Sequence, residues 1–161
     1  MNDPERKIHS LETLLPLLAE HRKNGEQIVF TNGCFDILHV GHVRLLGLAR
    51  ATGDRLVVAI NSDASVRRLN KGENRPIHGQ SERAELLAAF AAVDYVTVFE
   101  EDTPLAIIEQ IKPEVLVKGG DWGPDQIVGR DVVEANGGRV VRIPLVEGKS
   151  TTNIVREIQR D

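Results

Sequence analysis

Short, continuous apolar runs alternate along the chain with segments in which apolar residues recur at helical spacing. The apolar runs fall at residues 27–31, 55–60, 95–98, 114–117 and 139–143. The helical segments fall at about residues 10–24, 40–51, 81–92, 103–111, 131–136 and 151–159. Pro16 is expected to delay or kink the first of these helices. Runs without alternation are typical of strands covered on both faces. The pattern predicts an α/β fold with a five-stranded parallel sheet flanked by helices.

The length and composition indicate one globular domain. The chain has 161 residues, of which 41% are hydrophobic, and this is enough for a single core. We divide the chain into an N-terminal helical extension, residues 1–26, and a main domain, residues 27–161. The net charge is −4, without the basic excess usual in proteins that bind nucleic acid, so we expect no nucleic-acid partner.

The cysteine content and the apolar segments bear on location. A single cysteine, Cys34, excludes an internal disulfide and a multi-cysteine zinc site, and it fits a reducing, cytoplasmic setting. The longest apolar run, residues 86–93, is far shorter than the roughly 20 residues of a membrane-spanning helix. Residues 1–7 lack the apolar core of a signal peptide. We therefore expect a cytoplasmic protein with no membrane partner.

Polar and glycine-rich segments directly follow the predicted strands. They are residues 32–36, 61–63, 99–102, 118–121 and 144–152. The carboxyl ends of parallel strands meet at one edge of a sheet, and ligands bind there, at the point where the strand order switches. We therefore predict a Rossmann-like domain with its site at this edge.

The strongest chemical signal is His39-Val40-Gly41-His42, directly after the first strand. Two histidines three positions apart share one face of a starting helix, and Gly41 lets a ligand approach the backbone. The free N–H groups and the positive dipole end of that helix favour an anion, so we predict phosphoryl chemistry. Two alternatives stay open: a metal site formed by Cys34, His39 and His42, and a purely structural role.

Two other nucleotide-binding patterns are excluded. The tripeptide Gly148-Lys149-Ser150 is similar to the end of a P-loop, but the glycine required five positions earlier is Ile143. No G-x-G-x-x-G sequence follows a predicted strand. The chain is therefore predicted to be neither a Walker-type ATPase nor a dinucleotide-binding protein.

Two motifs resemble those of the cytidylyltransferase-like nucleotidyltransferases. Residues 33–42 are similar to the signature G-x-F-D-x-x-H-x-G-H, and Ser150-Thr151-Thr152 resembles the second signature, which holds the triphosphate. Four segments further resemble the heptose 1-phosphate adenylyltransferases of this family: residues 30–36, 61–66, 117–121 and 144–148. The resemblance covers roughly residues 27–158.

The resemblance implies an enzyme that transfers adenylyl from ATP to D-glycero-β-D-manno-heptose 1-phosphate, giving ADP-heptose and pyrophosphate for lipopolysaccharide core or related glycans. It also implies Mg²⁺ bound with the nucleotide, no resident metal, a homo-oligomer (dimer or larger), and a stand-alone chain whose companion kinase is separate. The runner-up is a cytidylyltransferase for a polyol phosphate such as glycerol 3-phosphate. Those enzymes carry an Arg-Thr pair where this chain has Leu145 and Val146, which favours ATP. A catalytically silent nucleotide-binding or metal-binding module is a third alternative, which the presence of both motifs disfavours.

The residues expected to act fall into three groups. Those expected in catalysis are His39, His42, Arg44 and Lys118. Those expected to bind the nucleotide are Thr31, Asn32, Gly33, Phe35, Gly41, Gly120, Asp121, Ser150, Thr151 and Thr152. Those expected to bind the sugar phosphate are Asp36, Asn61, Asp63, Lys71, Arg75 and Arg83. For Asp36 the alternative is that its side chain holds the turn through Asx hydrogen bonds. Lys71 and Arg75 fit the family pattern K-G-x-x-R-P, which implies a lid, and the alternative is a solvated loop without a function. Arg83 occupies a first helical turn, where the dipole disfavours a cation unless an anion is near.

Overall fold

Five parallel strands form the centre of the molecule. The computed structural model describes residues 3–69, 71–120 and 122–160. The strands are β1 (Ile28–Gly33), β2 (Arg55–Asn61), β3 (Tyr95–Phe99), β4 (Val115–Gly119) and β5 (Arg139–Ile143). They lie in the order β3-β2-β1-β4-β5, and every neighbouring pair is parallel. The predicted Rossmann-like α/β domain is therefore confirmed.

Within the described residues, seven helices connect and cover the strands. They are α1 (Leu11–Lys23), α2 (Val40–Arg50), α3 (Asp63–Arg68), α4 (Gln80–Ala88), α5 (Leu105–Ile111), α6 (Arg130–Ala135) and α7 (Thr151–Ile158), with short 3-10 turns at Pro4–Lys7 and Pro124–Gln126. The sequence pattern did not predict α3, a single short turn capped by Ser62. The expected late start of α1 is wrong, because Ser10 caps the helix and it runs through Pro16 without a break.

The core has two layers, one on each face of the sheet. On one face Leu46 and Ala49 of α2 pack with Leu87 of α4 against the strands. On the other face Leu14 and Leu18 of α1 pack with α5. Both leucines of α1 are fully buried, so this helix is part of the core.

The strand order reverses between β1 and β4, which are neighbours at the centre of the sheet. The chain leaves β1 toward one face of the sheet, through α2, and reaches β4 from α5 on the other face. The connections after these strands diverge and leave a crevice at the carboxyl edge. Among the described residues no helix is long and apolar enough to cross a membrane.

Candidate active site

A cavity of about 690 Å³ lies at the carboxyl edge of the sheet, above β1 and β4. Fourteen of the predicted site residues line it: Asn32, Gly33, Phe35, Asp36, His39, Gly41, His42, Asn61, Lys71, Arg75, Lys118, Ser150, Thr151 and Thr152. These residues come from separate segments of the chain. The cavity therefore unites the two sequence motifs that stand at opposite ends of the domain.

The two histidines cap the N-terminus of α2 through their Nδ1 atoms. The N–H of Gly41 donates to Nδ1 of His39 at 3.1 Å, and the N–H of His39 donates to Nδ1 of His42 at 3.3 Å. The ring centroids lie 3.9 Å apart. A Cβ at position 41 would come within 2.8 Å of the His39 ring. Gly41 is therefore required by the imidazole that folds back over the helix end.

These hydrogen bonds determine which nitrogen carries the proton. Because each Nδ1 accepts a backbone N–H, the neutral ring keeps its proton on Nε2. Burial and the adjacent His39 lower the pKa of His42 to about 4, and burial together with Lys149 lowers the pKa of His39. Both rings are therefore neutral at pH 7, and each has an Nε2–H donor that the cap does not use.

The turn between β1 and α2 is held in an unusual conformation by its own packing. Phe35 has a left-handed backbone with φ of 49°, which costs a non-glycine residue of order 1–3 kcal/mol. Its ring is buried against His42, with centroids 5.1 Å apart. A Cβ on Gly33 would meet that ring at 3.0 Å. The Phe35 ring thus supports His42 from behind, which is the contribution of this residue to the cavity.

A second helix begins at the same cavity. Ser150 is the N-cap of α7, and its Oγ accepts from the N–H of Asn153 at 3.1 Å. Thr151 donates to the carbonyl of Ile37 at 3.0 Å and so ties the start of α7 to the β1–α2 turn. The exposed Thr152 lines the cavity. Two helix N-termini, each attractive to anions, therefore meet in one wall.

Lys118 stands at the end of β4, next to the end of β1. Its Nζ donates to Oδ1 of Asn32, and no carboxylate of the described residues forms an ion pair with it. Burial lowers the pKa of Lys118 to about 8. The ammonium is therefore still mostly charged at pH 7, and an anionic ligand would stabilise it further.

Asp36 uses its hydrogen-bonding capacity within the protein. It is 1% exposed and accepts from Nε of Arg75 at 2.5 Å and from the N–H groups of Ile77 and His78 at 2.8 and 2.9 Å. Burial raises the pKa of this carboxyl, but these three donors outweigh burial, so the pKa lies below its ordinary value. Asp36 therefore anchors residues 75–78 along the cavity instead of offering a free carboxylate to a sugar.

Arg83 holds the same segment from the opposite side. It is fully buried and donates to the carbonyl oxygens of Cys34 and His78, at 2.7 and 3.0 Å, and to Asp63 at 2.8 Å. Neither Arg83 nor Asp63 lines the cavity. The prediction that these two residues contact the sugar phosphate is corrected, because each satisfies the other's charge. They position the β1–α2 turn and residues 75–78.

Three further predicted residues do not line the cavity, for different reasons. Thr31 is buried in the sheet and donates to the carbonyl of Val117 at 3.0 Å. Arg44 is exposed, because two positions beyond His42 correspond to about 200° around a helix. Gly120, with φ of 109°, shapes the chain beside Trp122. Asp121 lies outside the described residues.

The family model described as cytidylyltransferase-like matches residues 30–156 of this chain. The chain belongs to the cytidylyltransferase-like family. This match begins within β1 and ends within α7, so it includes both helix N-termini of the cavity.

Curated relatives of the chain extend well beyond it. The bifunctional protein HldE of Geotalea uraniireducens (strain Rf4) is 55% identical over 157 residues, which are 98% of this chain and 32% of the relative. The bifunctional protein HldE of Azotobacter vinelandii is 57% identical over 156 residues, or 97% and 33% of the two chains. The chain thus spans about a third of the length of these relatives.

Solved structures share the fold. The lipopolysaccharide core biosynthesis protein from Thermoplasma volcanium superposes with a TM-score of 0.63 at 26% identity, covering 78% of this chain and 100% of the other. Pantothenate synthetase from Thermus thermophilus has a TM-score of 0.56 at 18% identity, covering 85% and 65% of the two chains. The second likeness concerns the fold alone.

The cavity also contains residues outside the three predicted groups. Trp122, Leu145 and Val146 form an apolar part of the lining, and Trp122 Nε1 donates to the carbonyl of Gly119 at 2.9 Å. Lys149 lines the cavity beside α2. The sequence does contain a signal for Lys149. The tripeptide Gly148-Lys149-Ser150 is not part of a P-loop, but it still places a cation at the start of a predicted helix.

The polar groups of the cavity fit a metal ion that is bound mainly by the phosphate groups of a ligand. Among the described residues no three histidine, cysteine or acidic side chains are grouped to hold a metal, and the thiol of Cys34 donates to Oδ1 of Asn61 at 3.7 Å. The alternative of a zinc site at Cys34, His39 and His42 therefore has no support. A divalent ion that arrives with a nucleotide is commonly held through the substrate phosphates, and Thr151 and Thr152 lie in the wall of this cavity.

Proposed function

We propose that this protein transfers an adenylyl group from ATP to D-glycero-β-D-manno-heptose 1-phosphate, giving ADP-heptose and pyrophosphate for lipopolysaccharide core or related glycans. The observation that carries the proposal is the pair of neutral imidazoles, His39 and His42, whose Nε2–H groups stand at the N-terminus of α2 within the cavity. The likeness to the HldE proteins supports the nucleotidyl transfer, and the segments shared with heptose adenylyltransferases support the acceptor.

The proposed reaction is a single displacement at phosphorus. An oxygen of the sugar 1-phosphate attacks the α-phosphorus of ATP, the bond from that phosphorus to the oxygen bridging to the β-phosphorus breaks, and the electron pair leaves with pyrophosphate. No covalent intermediate on the protein is needed, because the acceptor phosphate is itself the nucleophile. The protein therefore contributes orientation and charge stabilisation.

The proposed role of each residue follows from the place where negative charge increases in the transition state. The Nε2–H groups of His39 and His42 would donate to oxygens of the α- and β-phosphates, where donors fixed in advance stabilise the transition state most. Lys118, beside Asn32, would attract the acceptor phosphate or the α-phosphate. Mg²⁺ would enter with the nucleotide and neutralise its phosphate charge.

The two ends of the cavity differ in polarity, which suggests the orientation of the substrates. Trp122, Leu145 and Val146 offer apolar surface suited to a base. Asn61, Lys71 and Arg75 offer polar groups suited to the hydroxyls of a sugar. We propose that adenine lies toward Trp122 and the heptose toward Asn61.

Three further features belong to the proposal. The free thiol of the only cysteine supports a reducing, cytoplasmic setting. We propose a homo-oligomer of at least two chains, as the family resemblance implies. We also keep residues 27–161 as the nucleotidyltransferase domain, with residues 1–26 as the helical segment that precedes it.

The test is pyrophosphate release with each of the four nucleoside triphosphates against a panel of sugar and polyol phosphates. We expect the highest kcat/KM for ATP with the heptose 1-phosphate. Faster turnover with CTP on every acceptor would reject the adenylyl donor, and turnover only with glycerol 3-phosphate would reject the heptose. A folded wild-type protein that releases no pyrophosphate with any pair would overturn nucleotidyl transfer.

A further inference from the structure

Lys149 is a cation of the cavity that neither sequence motif assigns. It stands between Gly148 and Ser150, directly before the N-cap of α7. Its N–H donates to the carbonyl of Val146 at 3.2 Å, and Gly148 has φ of 73°. These two features close a tight turn that presents position 149 at the start of the helix, where the side chain lines the cavity.

The side chain of Lys149 lies against the N-terminus of α2. A methyl group placed on Gly41 would be 3.9 Å from the Cβ of Lys149, and the ammonium charge contributes to the lowered pKa of His39. The hydrogen bond from Thr151 to Ile37 fixes the start of α7 to the same turn. The position of its Cβ and the anchored start of α7 therefore place Lys149 close to the capping histidines.

The charge of Lys149 is available to a ligand. No carboxylate of the described residues forms an ion pair with it. By contrast, Arg75, another cation of the cavity wall, is neutralised by Asp36. Lys118 lies at the end of β4, beside the end of β1. An anion at Lys149 would instead meet the hydroxyls of the Ser150–Thr152 segment.

We propose that Lys149 is the cation that binds the β- and γ-phosphates of the nucleotide and then the pyrophosphate that leaves. The inference rests on the proposed nucleotidyl transfer and adds a catalytic residue to it. A compact ammonium on a flexible stem suits a group whose charge increases during the reaction. The same cation strengthens the anion-binding end of α2 without taking a hydrogen bond away from either histidine.

The direct test is calorimetric binding of inorganic pyrophosphate, with Mg²⁺, to the wild-type protein and to Lys149→Gln, Lys149→Arg and Arg156→Gln at one ionic strength. Arg156 is an exposed cation of the same helix α7, far from its N-terminus, so it is a control for net charge. Losing a charge-assisted hydrogen bond weakens binding by about ten- to a hundredfold. We expect that loss in Lys149→Gln, recovery to within about threefold in Lys149→Arg, and no change in Arg156→Gln.

Kinetics provide a second readout. Lys149→Gln should raise KM for ATP and weaken product inhibition by pyrophosphate, with KM for the sugar phosphate unchanged. Wild-type affinity for pyrophosphate in Lys149→Gln, or an equal loss in Arg156→Gln, would overturn the assignment. A wild-type protein that binds pyrophosphate but forms no nucleotide sugar would reject the proposed function while leaving the Lys149 binding test intact. A wild-type protein that binds no pyrophosphate would overturn both.

Discussion

The cavity and its supporting shell have two kinds of cation, and they differ in what neutralises them. Arg75 and Arg83 are paired with Asp36 and Asp63 and donate to backbone or carboxylate oxygens. Lys118 and Lys149 have no carboxylate partner among the described residues, and the two histidines beside them are neutral. The planar guanidinium groups fix the shape of the β1–α2 turn and of residues 75–78, whereas the ammonium groups leave charge available for a ligand.

Mutations of the paired and of the unpaired cations should therefore have different effects. Removing a member of a buried, paired network leaves its partners without hydrogen bonds, so folding stability should fall first. Removing Lys149 or an Nε2–H donor breaks no hydrogen bond of the protein, and removing Lys118 frees only the side-chain oxygen of Asn32, so binding or turnover should fall while stability largely holds. The predictions that follow test this division.

The largest effect is expected for Arg83→Gln. Breaking a buried ion pair from one side costs about 3–5 kcal/mol, and this change would also leave the Cys34 and His78 carbonyls without their donor. Urea unfolding should show a loss of that size in the free energy of unfolding. The control is Arg130→Gln, which breaks an exposed pair with Glu134 and should cost under about 1 kcal/mol. Similar losses in the two variants would show that the buried network contributes no more to stability than an exposed ion pair.

Mutation of His39, which is not part of the paired arginine network, should reduce turnover much more than stability. Losing one fixed donor costs about 2.7–4 kcal/mol in the transition state, or about 10²–10³ in kcat. His39→Asn retains a good N-cap for α2 but removes the Nε2–H, so its kcat should fall and its unfolding free energy should hold. His39→Ala should lose the same activity and also about 0.5–2 kcal/mol of stability, because the cap on Gly41 is lost. Full kcat in His39→Asn would remove the phosphate role from this imidazole.

A smaller effect is expected for Lys118, with Arg44 as its matched comparison. Both were predicted from the sequence to serve anions, but only Lys118 lines the cavity. Lys118→Met should raise KM for ATP or the acceptor by about ten- to a hundredfold, the value of a charge-assisted hydrogen bond of about 1.5–3 kcal/mol. Arg44→Ala, an exposed change, should stay within about 0.5 kcal/mol of wild type in both stability and kcat/KM. A large kinetic effect of Arg44 with none for Lys118 would contradict the placement of the cavity.

Sequence reasoning was most successful where local pattern decides structure. The five apolar runs predicted five parallel strands, and the His39-x-Gly41-His42 spacing predicted a helix start that lines the cavity. It was least successful for long-range pairing. The position of Arg83 in a first helical turn correctly indicated an anion partner, but that partner is Asp63, 20 positions away on another element. No periodicity encodes such a contact.

The contacts of Asp36 could not be predicted for the same reason, because its partners are distant in the sequence. Arg44 is a different case. The side chain of Asp36 was expected to reach a sugar, and its actual partners, at positions 75, 77 and 78, become visible only when the chain is folded. The exposed position of Arg44 could have been anticipated, since its angle on the helix follows from its distance to His42. Charge type is therefore readable from sequence, whereas the group that neutralises the charge is not.

The smallest effect expected is a pH dependence of stability that comes from His42. Its pKa is about 4 in the folded protein and about 6.5 in an unfolded chain. The folded state therefore binds fewer protons between these values, and stability rises with pH in that window. The contribution of His42 is complete above about pH 6.5, falls as the pH is lowered, and is lost once the pH passes below about 4. Because the ring is partly exposed, we expect a change on the order of 1–2 kcal/mol.

The variant that isolates this effect is His42→Asn, whose side-chain oxygen can accept the His39 N–H but does not titrate. Urea unfolding at several pH values from about 4.5 to 7.5, the window set by the two pKa values, should show a shallower pH dependence in His42→Asn than in wild type. The remaining histidines are the same in both proteins, so their contributions cancel in the difference, and the carboxyls of Asp36 and Glu26 titrate below this window because their pKa values are lowered. Identical pH dependence in the two proteins would mean that His42 is as easily protonated in the folded state as in the unfolded chain. The lowered pKa inferred for this ring would then have to be abandoned.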